Sequence, residues 1–300
     1  MKTLTIIGCG LVGKTLGKLF VSRELVQILQ VLNRSEDSTR TATEFLGQGA
    51  VVNRFSDLDP ADLVLVSTSD GAILRCVNGL RESRAIHDGT VVFHCSGALP
   101  SSILSVLRTN GARIASVHPL KSFAEPSSSV ASFPGTYCGL EGDDESVQLL
   151  KRIFEDCGAR TFSIKPELKL LYHAGAVLVG SCLTALLEAG LQCYEKAGIA
   201  RPMAMALMRP IVQGTVANTF ELGPVRALTG PIARGEEELV RMQHKAIADW
   251  SPLISRVYRT MGTMAVDLSL KQGKASVLSM EHIREILNGT CDPANPSYAS

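Results

Sequence analysis

The chain alternates between short, continuous apolar runs and longer stretches in which apolar residues recur every three or four positions. The runs Leu4 to Ile7, Ile28 to Leu32, Asp62 to Ser67, Thr90 to Phe93 and Ile114 to Val117 are apolar on both faces, the pattern of strands buried inside a parallel sheet. Between them, Leu11 to about Ser22, with Leu16, Leu19 and Phe20, and Ser38 to Leu46 have helical spacing. Ala50 to Phe55, Thr136 to Leu140 and Thr161 to Ile164 predict further strands, Glu145 to Cys157 an amphipathic helix, and the Ser-rich stretch Glu125 to Ser132 a surface loop. Strands alternating with helices predict an α/β fold whose doubly wound, mostly parallel sheet is covered on both faces.

Near Lys165-Pro166 the pattern changes. Glu167 to Lys196 contains no proline and predicts one long helix, whose small residues Ala174, Gly175, Ala176, Gly180, Ser181 and Ala185 would let another helix approach closely. Pro202 to Phe220, Glu236 to about Lys271 and Ser279 to Leu287 continue in helical mode, and Leu228 to Gly235 interrupts them as a loop. The tail after Asn288, with Pro293, Asn295 and Pro296, predicts a frayed end. The expected division is residues 1–165 for the sheet and 166–300 for an all-helical domain.

Composition narrows the partners. Three hundred residues, 45% hydrophobic and 20% charged with a formal net charge of +1, carry neither the polarity of a disordered chain nor the basic excess of a nucleic-acid binder. The expected partners are a small-molecule substrate and a second copy of the chain, with no nucleic acid and no membrane. The eight cysteines (Cys9, Cys76, Cys95, Cys138, Cys157, Cys182, Cys193, Cys291) form no C-x-x-C pair, which predicts reduced thiols in a cytoplasmic protein. Lys2 followed by apolar residues looks like a leader, and Ile6 to Cys9 like a lipoprotein cleavage site. The run is too short for either, being broken by three glycines and then by Lys14 and Lys18. No stretch reaches the roughly 20 uninterrupted apolar residues of a membrane span. The six histidines show no paired ligand spacing, so no metal is expected.

The first strand runs directly into Gly8-Cys9-Gly10-Leu11-Val12-Gly13 and then into a helix, which is G-x-G-x-x-G in the context a dinucleotide site requires. Gly8 permits the tight turn, Gly10 lets backbone N–H groups approach a pyrophosphate, Gly13 lets the helix pack on the strand, and the helix N-terminus favours phosphate. The second strand ends in Asn33-Arg34-Ser35, with no acid for the ribose hydroxyls of NAD. Arg34 and Ser35 can hold a 2′-phosphate, so NADP is expected rather than NAD. Three later strands deliver Ser67-Thr68-Ser69, Cys95-Ser96-Gly97 and His118-Pro119 to the same sheet edge. Ser67, Thr68, Ser69, Cys95 and Ser96 complete the expected cofactor contacts. Cys95 has no neighbouring base and reads as a packing residue rather than a nucleophile.

A dinucleotide domain followed by helices resembles the superfamily of 6-phosphogluconate dehydrogenase, the β-hydroxyacid dehydrogenases, ketopantoate reductase and pyrroline-5-carboxylate reductase. Within it, His118-Pro119-Leu120 with Phe123, Tyr172-His173-Ala174, and Leu228 to Gly235 are most similar to the Rossmann-like proteins whose C-terminal half is the domain of unknown function 2520. The resemblance implies a Rossmann-type domain, a 6-phosphogluconate dehydrogenase-like helical domain, an NADP-dependent oxidoreductase without assigned substrate, and a homodimer formed through the helices. The chain departs from the β-hydroxyacid dehydrogenases, having His118-Pro119 in place of their Ser-Gly-Gly loop and Lys169-x-x-x-His173 in place of their Lys-x-x-x-Asn.

Hydride transfer to a carbonyl or imine needs a proton donor beside the nicotinamide. His173 is the first candidate, because histidine exchanges protons near neutrality; Lys169, one turn earlier on the same face, and His118 are the others. The competing readings are a helix-packing histidine and a solvated lysine. Ser96, Lys121, Thr229 and Arg234 are candidate substrate contacts. Two functional rivals stand beside this one: a non-catalytic NADP-binding or sensing protein, and a reductase of a deazaflavin carrier.

Overall fold

The computed structural model describes residues 1–289, so Cys291 and the tail with Pro293, Asn295 and Pro296 lie outside the described residues. Strands β1 (Lys2–Ile7), β2 (Val26–Leu32), β3 (Ala50–Val52), β4 (Leu63–Val66), β5 (Val91–His94), β6 (Arg113–Pro119), β7 (Tyr137–Gly142) and β8 (Arg160–Ser163) form one eight-stranded sheet in the order β3-β2-β1-β4-β5-β6-β7-β8. Helices α1 (Leu11–Ser22), α2 (Glu36–Leu46), α3 (Asp70–Glu82), α4 (Pro126–Ala131) and α5 (Asp144–Asp156) lie between them, with a 3-10 helix at Ser101–Asn110. Side chains alternate across the sheet, so both faces of the inner strands are apolar. In β4, Leu63 and Leu65 join one core with Leu16 and Phe20 of α1 and Leu150 and Phe154 of α5. Val64 and Val66 join the opposite core with Ile73 and Val77 of α3 and Leu104 of the 3-10 helix.

All strand pairs are parallel except β6 with β7. The connection from β6 to β7, residues 120–136, carries the short helix α4, and β7 starts at the edge where β6 ends.

Four expectations are corrected. Glu125 to Ser132 is not a loop: Glu125 accepts from Ser127 N and Ser128 N, and Pro126 occupies the first turn, so the segment is a capped short helix. The predicted helix Glu167 to Lys196 is a 3-10 turn at Pro166–Leu168 followed by α6 (Lys169–Val179) and α7 (Ser181–Lys196). The two are broken at Gly180, whose ψ of −89° departs from helical geometry. Glu236 to Lys271 is likewise two helices, α11 (Glu237–Ala248) and α12 (Pro252–Gln272), because Ser251 caps and Pro252 starts a new one. Between α7 and α11 lie α8 (Arg201–Leu222) and the four-residue α9 (Pro224–Ala227) and α10 (Pro231–Arg234), and α13 (Val277–Asn288) follows α12. The expected strand Ala50 to Phe55 is shorter, ending at Val52 before a 3-10 turn at Phe55–Asp57.

The chain divides into two compact units, 1–179 and 180–300, so α6 counts with the sheet. The second unit is all-helical. Its core, with Val240, Val266, Met280, Ile283, Ile286 and Leu287, is built by α11, α12 and α13. In contrast, α7 and α8 bury only Leu191 and Ala204 between them, and Phe220 is 87% exposed. On α6, Leu171 and Val179 are 73% and 75% exposed. Among the described residues one helical stretch, Pro166–Lys196, is long and apolar enough by length and composition to cross a membrane, and its apolar window is uncovered in the single chain. The seven described cysteines are free thiols.

Phe20 and Phe154 pack edge to face, 5.4 Å between centroids, and both are fully buried. Phe154→Ala is expected to lower stability by about 3–5 kcal/mol in urea denaturation; a loss under about 1 kcal/mol would mean that the core does not close around this ring.

Candidate functional site

A cavity of about 790 Å³ opens where β1, β2 and β4 end at the carboxyl edge of the sheet. Gly8, with φ +80°, turns the chain at its floor; a Cβ there would lie 2.2 Å from Thr68 Cγ2. A Cβ on Gly13 would lie 2.5 Å from Ser67 Oγ, which donates to Gly8 O at 3.0 Å. These two glycines therefore let α1, the glycine turn and the turn after β4 lie against one another. Gly10 differs, since a Cβ on it would meet no protein atom, and it lines the cavity as the uncapped start of α1. Its missing side chain leaves the helix N-terminus bare for a phosphate. Thr68 lines the same space, its hydroxyl beside the Cys76 thiol of α3. A bare helix start is what a dinucleotide phosphate would satisfy.

Of the expected cofactor contacts, the cavity gathers Gly8, Cys9, Gly10, Asn33, Arg34, Ser35, Ser67, Thr68 and Ser69. Leu11, Val12 and Gly13 lie just behind it in the first turn of α1, and Cys95 and Ser96 belong to the next strand end. Asn33 is already engaged: Oδ1 accepts from Cys9 N at 2.6 Å and Nδ2 donates to Ser38 O at 2.9 Å, tying the glycine turn to the start of α2. Ser35 caps α2 by accepting from Ser38 N. Lys14 and Arg75 also line the cavity and were missed in the sequence; Lys14 follows the glycine motif by one position and Arg75 sits on α3. Lys14, Arg34 and Arg75 make no ion pair among the described residues, and no carboxylate lines the cavity. Burial pushes the Cys9 thiol up to about 12, so it is a neutral packing group.

Two strands further along the same edge, about 10 Å from β4 at the usual strand spacing, three rings meet over Gly97. His118, near the end of β6, has Nδ1 2.8 Å from the Tyr172 hydroxyl of α6, and its ring centroid is 5.9 Å from that of His173. A Cβ on Gly97 would lie 2.6 Å from His173 Cδ2 and 2.7 Å from His118 Nε2, so only glycine lets both imidazoles rest on this turn. Burial, then the neighbouring His173 and Lys169, hold the His118 imidazole down at about 4, while burial lifts the Tyr172 phenol to about 12. Around neutrality the phenol is therefore protonated and the imidazole neutral. With the phenol donating to Nδ1, His118 carries its proton on Nε2, over Gly97. His173 makes no hydrogen bond among the described residues, which leaves its ring nitrogens available to a ligand.

The other candidates lie elsewhere. Lys169 is not solvated: its side chain is 1% exposed and its ammonium bonds Ser116 Oγ and, at 3.2 Å, Glu141 Oε1. Burial pulls the Lys169 ammonium down and the Glu141 carboxylate opposes that. Ser96 Oγ closes its own turn by accepting from Ala98 N and Leu99 N. Cys95 is partly buried against the core, with its thiol raised by burial, which fits the packing reading. Lys121 donates to Ser132 O at the end of α4. Thr229 and Arg234 lie in the second unit, where Arg234 is held by both oxygens of Glu236. Tyr172 is the functional group the sequence reading passed over, although it adjoins His173. No group of three or more His, Cys, Asp or Glu is placed to hold a metal among the described residues.

Residues 2–119 match the family described as Rossmann-like domain, and residues 136–265 match the domain of unknown function DUF2520. The chain is a Rossmann-like protein with a DUF2520 domain. A comparison with curated protein sequences finds no match. Among solved structures, the fold is similar to the candidate NADP oxidoreductase BF3122 from Bacteroides fragilis, at 21% identity, 88% of this chain, 97% of that one and a TM-score of 0.72. It is similar to protein TM1727 from Thermotoga maritima, at 24% identity, 90% of this chain, 99% of that one and a TM-score of 0.70. It is also similar to an imine reductase from Myxococcus stipitatus in complex with NADP+, at 16% identity, 94% of this chain, 99% of that one and a TM-score of 0.63.

Two buried histidines make acid sensitivity predictable. His94 accepts from Ser96 N at Nδ1 and donates from Nε2 to Pro100 O, and burial holds it at about 4, as burial does His118. Unfolding returns both to about 6.5, so the unfolded chain binds more protons between these values and stability falls as pH drops from about 7 to about 4. Each contributes up to roughly 3 kcal/mol. Urea midpoints measured across this range should decline less steeply in His94→Gln than in the parent; equal slopes would contradict the burial of a neutral His94.

Proposed function

We propose that the chain is an NADP-dependent oxidoreductase that moves a hydride between nicotinamide and a small carbonyl, hydroxy or imine compound. The observation that carries the reading is a cavity with three unpaired cations and no acid, at the edge of a sheet whose next strand ends bring two imidazoles and a phenol together. A dinucleotide with a pyrophosphate and a 2′-phosphate matches three cations. Gly8 to Gly10 and Lys14 would hold the pyrophosphate at the start of α1, and Arg34, Ser35 and Arg75 the 2′-phosphate. The bound cofactor supplies the hydride. An imine reductase in complex with NADP+ and a reductive aminase in complex with NADPH share the fold, which supports NADP over NAD.

The protein's own part is the proton. His118 is held too far down to serve as an imidazolium near neutrality, so its Nε2–H acts as a hydrogen-bond donor to the substrate heteroatom. His173, without a protein partner, is the group that gives or takes the proton. His173→Gln should lower kcat by about 10²–10⁴-fold with NADPH against a panel of imines and ketones, leaving NADPH affinity intact; unchanged turnover would remove His173 from the chemistry. Tight NADPH binding with no turnover on the panel, or turnover only with a deazaflavin, would favour one of the two rivals.

The cofactor assignment has its own test. Arg34→Gln is expected to weaken NADPH about tenfold, or 1.4 kcal/mol, and leave NADH unchanged by calorimetry; an equal loss for both would place Arg34 outside the 2′-phosphate site.

We also infer a homodimer. The exposed apolar faces of α6, α7 and α8, with Leu171, Val179 and Phe220, need a cover, and a second copy supplies one of matching character. Light scattering of the purified protein at micromolar concentration should give twice the chain mass; a monomer, or a protein recovered only in detergent, would contradict it.

A further inference from the structure

The buried cluster beneath the three rings is not used by that mechanism. Glu141 of β7 accepts from Ser101 N at 2.7 Å, from Ser101 Oγ at 2.6 Å and from Lys169 Nζ at 3.2 Å. Lys169 Nζ also donates to Ser116 Oγ of β6, which in turn donates to Ser96 O at 3.5 Å. Ser96 N donates to His94 Nδ1, and Ser96 Oγ closes the turn. One ammonium on α6 thus grips residues 94–101 at two points, through Ser116 to Ser96 and through Glu141 to Ser101. The same segment carries Gly97, on which His118 and His173 rest, and the same helix carries Tyr172 and His173, three and four residues beyond Lys169. The carboxylate has its partners on both oxygens, and both charged side chains are almost completely buried, 1% and 3% exposed. The ammonium is therefore screened from a substrate at the strand ends.

We propose that Lys169 is a positioning residue: with Glu141 it forms a buried brace that sets the Gly97 turn against α6 and so fixes His118, Tyr172 and His173 relative to one another, without itself transferring a proton. The proposal rests on the assignment of the three rings to the reactive centre. It assigns different roles to two residues of one helix face, since Lys169 and His173 are one turn apart but Lys169 is held beneath the Gly97 turn. A buried pair broken on one side leaves an uncompensated charge, whereas removing both charges with partners of similar shape is often tolerated. A lysine that transfers protons cannot be recovered in that way.

The test is a comparison of Lys169→Met with the double variant Lys169→Met/Glu141→Gln, read by the imidazole resonances of His118 and His173, by NADPH affinity, and by kcat and KM on any substrate the parent turns over. His118 is faced by His173 and Tyr172, by Lys169 beneath and by Asp70 at the start of α3, so loss of the Lys169 charge should raise its titration midpoint. In Lys169→Met both ring resonances should shift and kcat fall about a hundredfold, with NADPH affinity within about twofold of the parent; the double variant should recover at least tenfold of that loss. Unmoved ring resonances in a folded Lys169→Met protein would overturn the brace. So would a double variant as inactive as the single one with ring resonances back in place, since that would make the ammonium a proton carrier. Should the parent turn over nothing, the functional reading fails while the resonances still decide the brace.

Discussion

Parallel strands covered on both faces leave only their ends free for chemistry. In β4 and β5 every side chain is buried, so no polar group can be presented from within the strands. The ends of β1, β2, β4, β5 and β6 and the turns that follow them, with the helices that reach that edge, carry what meets a ligand, and because these strands are parallel their ends share one edge. That constraint explains why glycines concentrate there. Gly8, Gly13 and Gly97 each allow two neighbouring turns or a turn and two rings to touch, and a methyl group there would overlap the turn after β4 at Gly8 and Gly13 and the two imidazoles at Gly97.

Electrostatics divide the edge into two regions. The cavity at β1, β2 and β4 is cationic, with Lys14, Arg34 and Arg75 and no lining carboxylate. At β5 and β6, His94 and His118 are both held down at about 4 by burial, and the Lys169 ammonium is paired with Glu141 beneath the turn. A polyanion is thereby drawn to one end, and polar but uncharged donors remain at the other.

Much of this was legible in the residues. Leu4 to Gly13 and Asn33 to Ser35 read as a strand, a glycine turn and a strand end that line one cavity, because each position has a local steric or charge requirement. His118 and His173 were legible as candidates, since one follows a strand and the other lies on a helix near a lysine. What was not legible depends on partners distant in sequence. Lys169 reads as a surface or reactive amine until Glu141 and Ser116, on two other strands, are placed beside it. Arg75 and Lys14 look like solvated charges until the sheet brings their helices to one cavity. The helix at Pro126–Ala131 was hidden for a different reason: a glutamate cap and a first-turn proline decided it, and serine-rich composition pointed elsewhere.

The central claim is that one ligand spans both regions, its phosphates on the cations and its nicotinamide at the rings. The most direct measurement is a crystal structure of the protein with NADP+. The account predicts the 2′-phosphate against Arg34 and Arg75 and the nicotinamide C4 facing the space above Gly97, beside His118 and His173. A nicotinamide ring turned away from Gly97, or a 2′-phosphate that touches neither arginine, would contradict it.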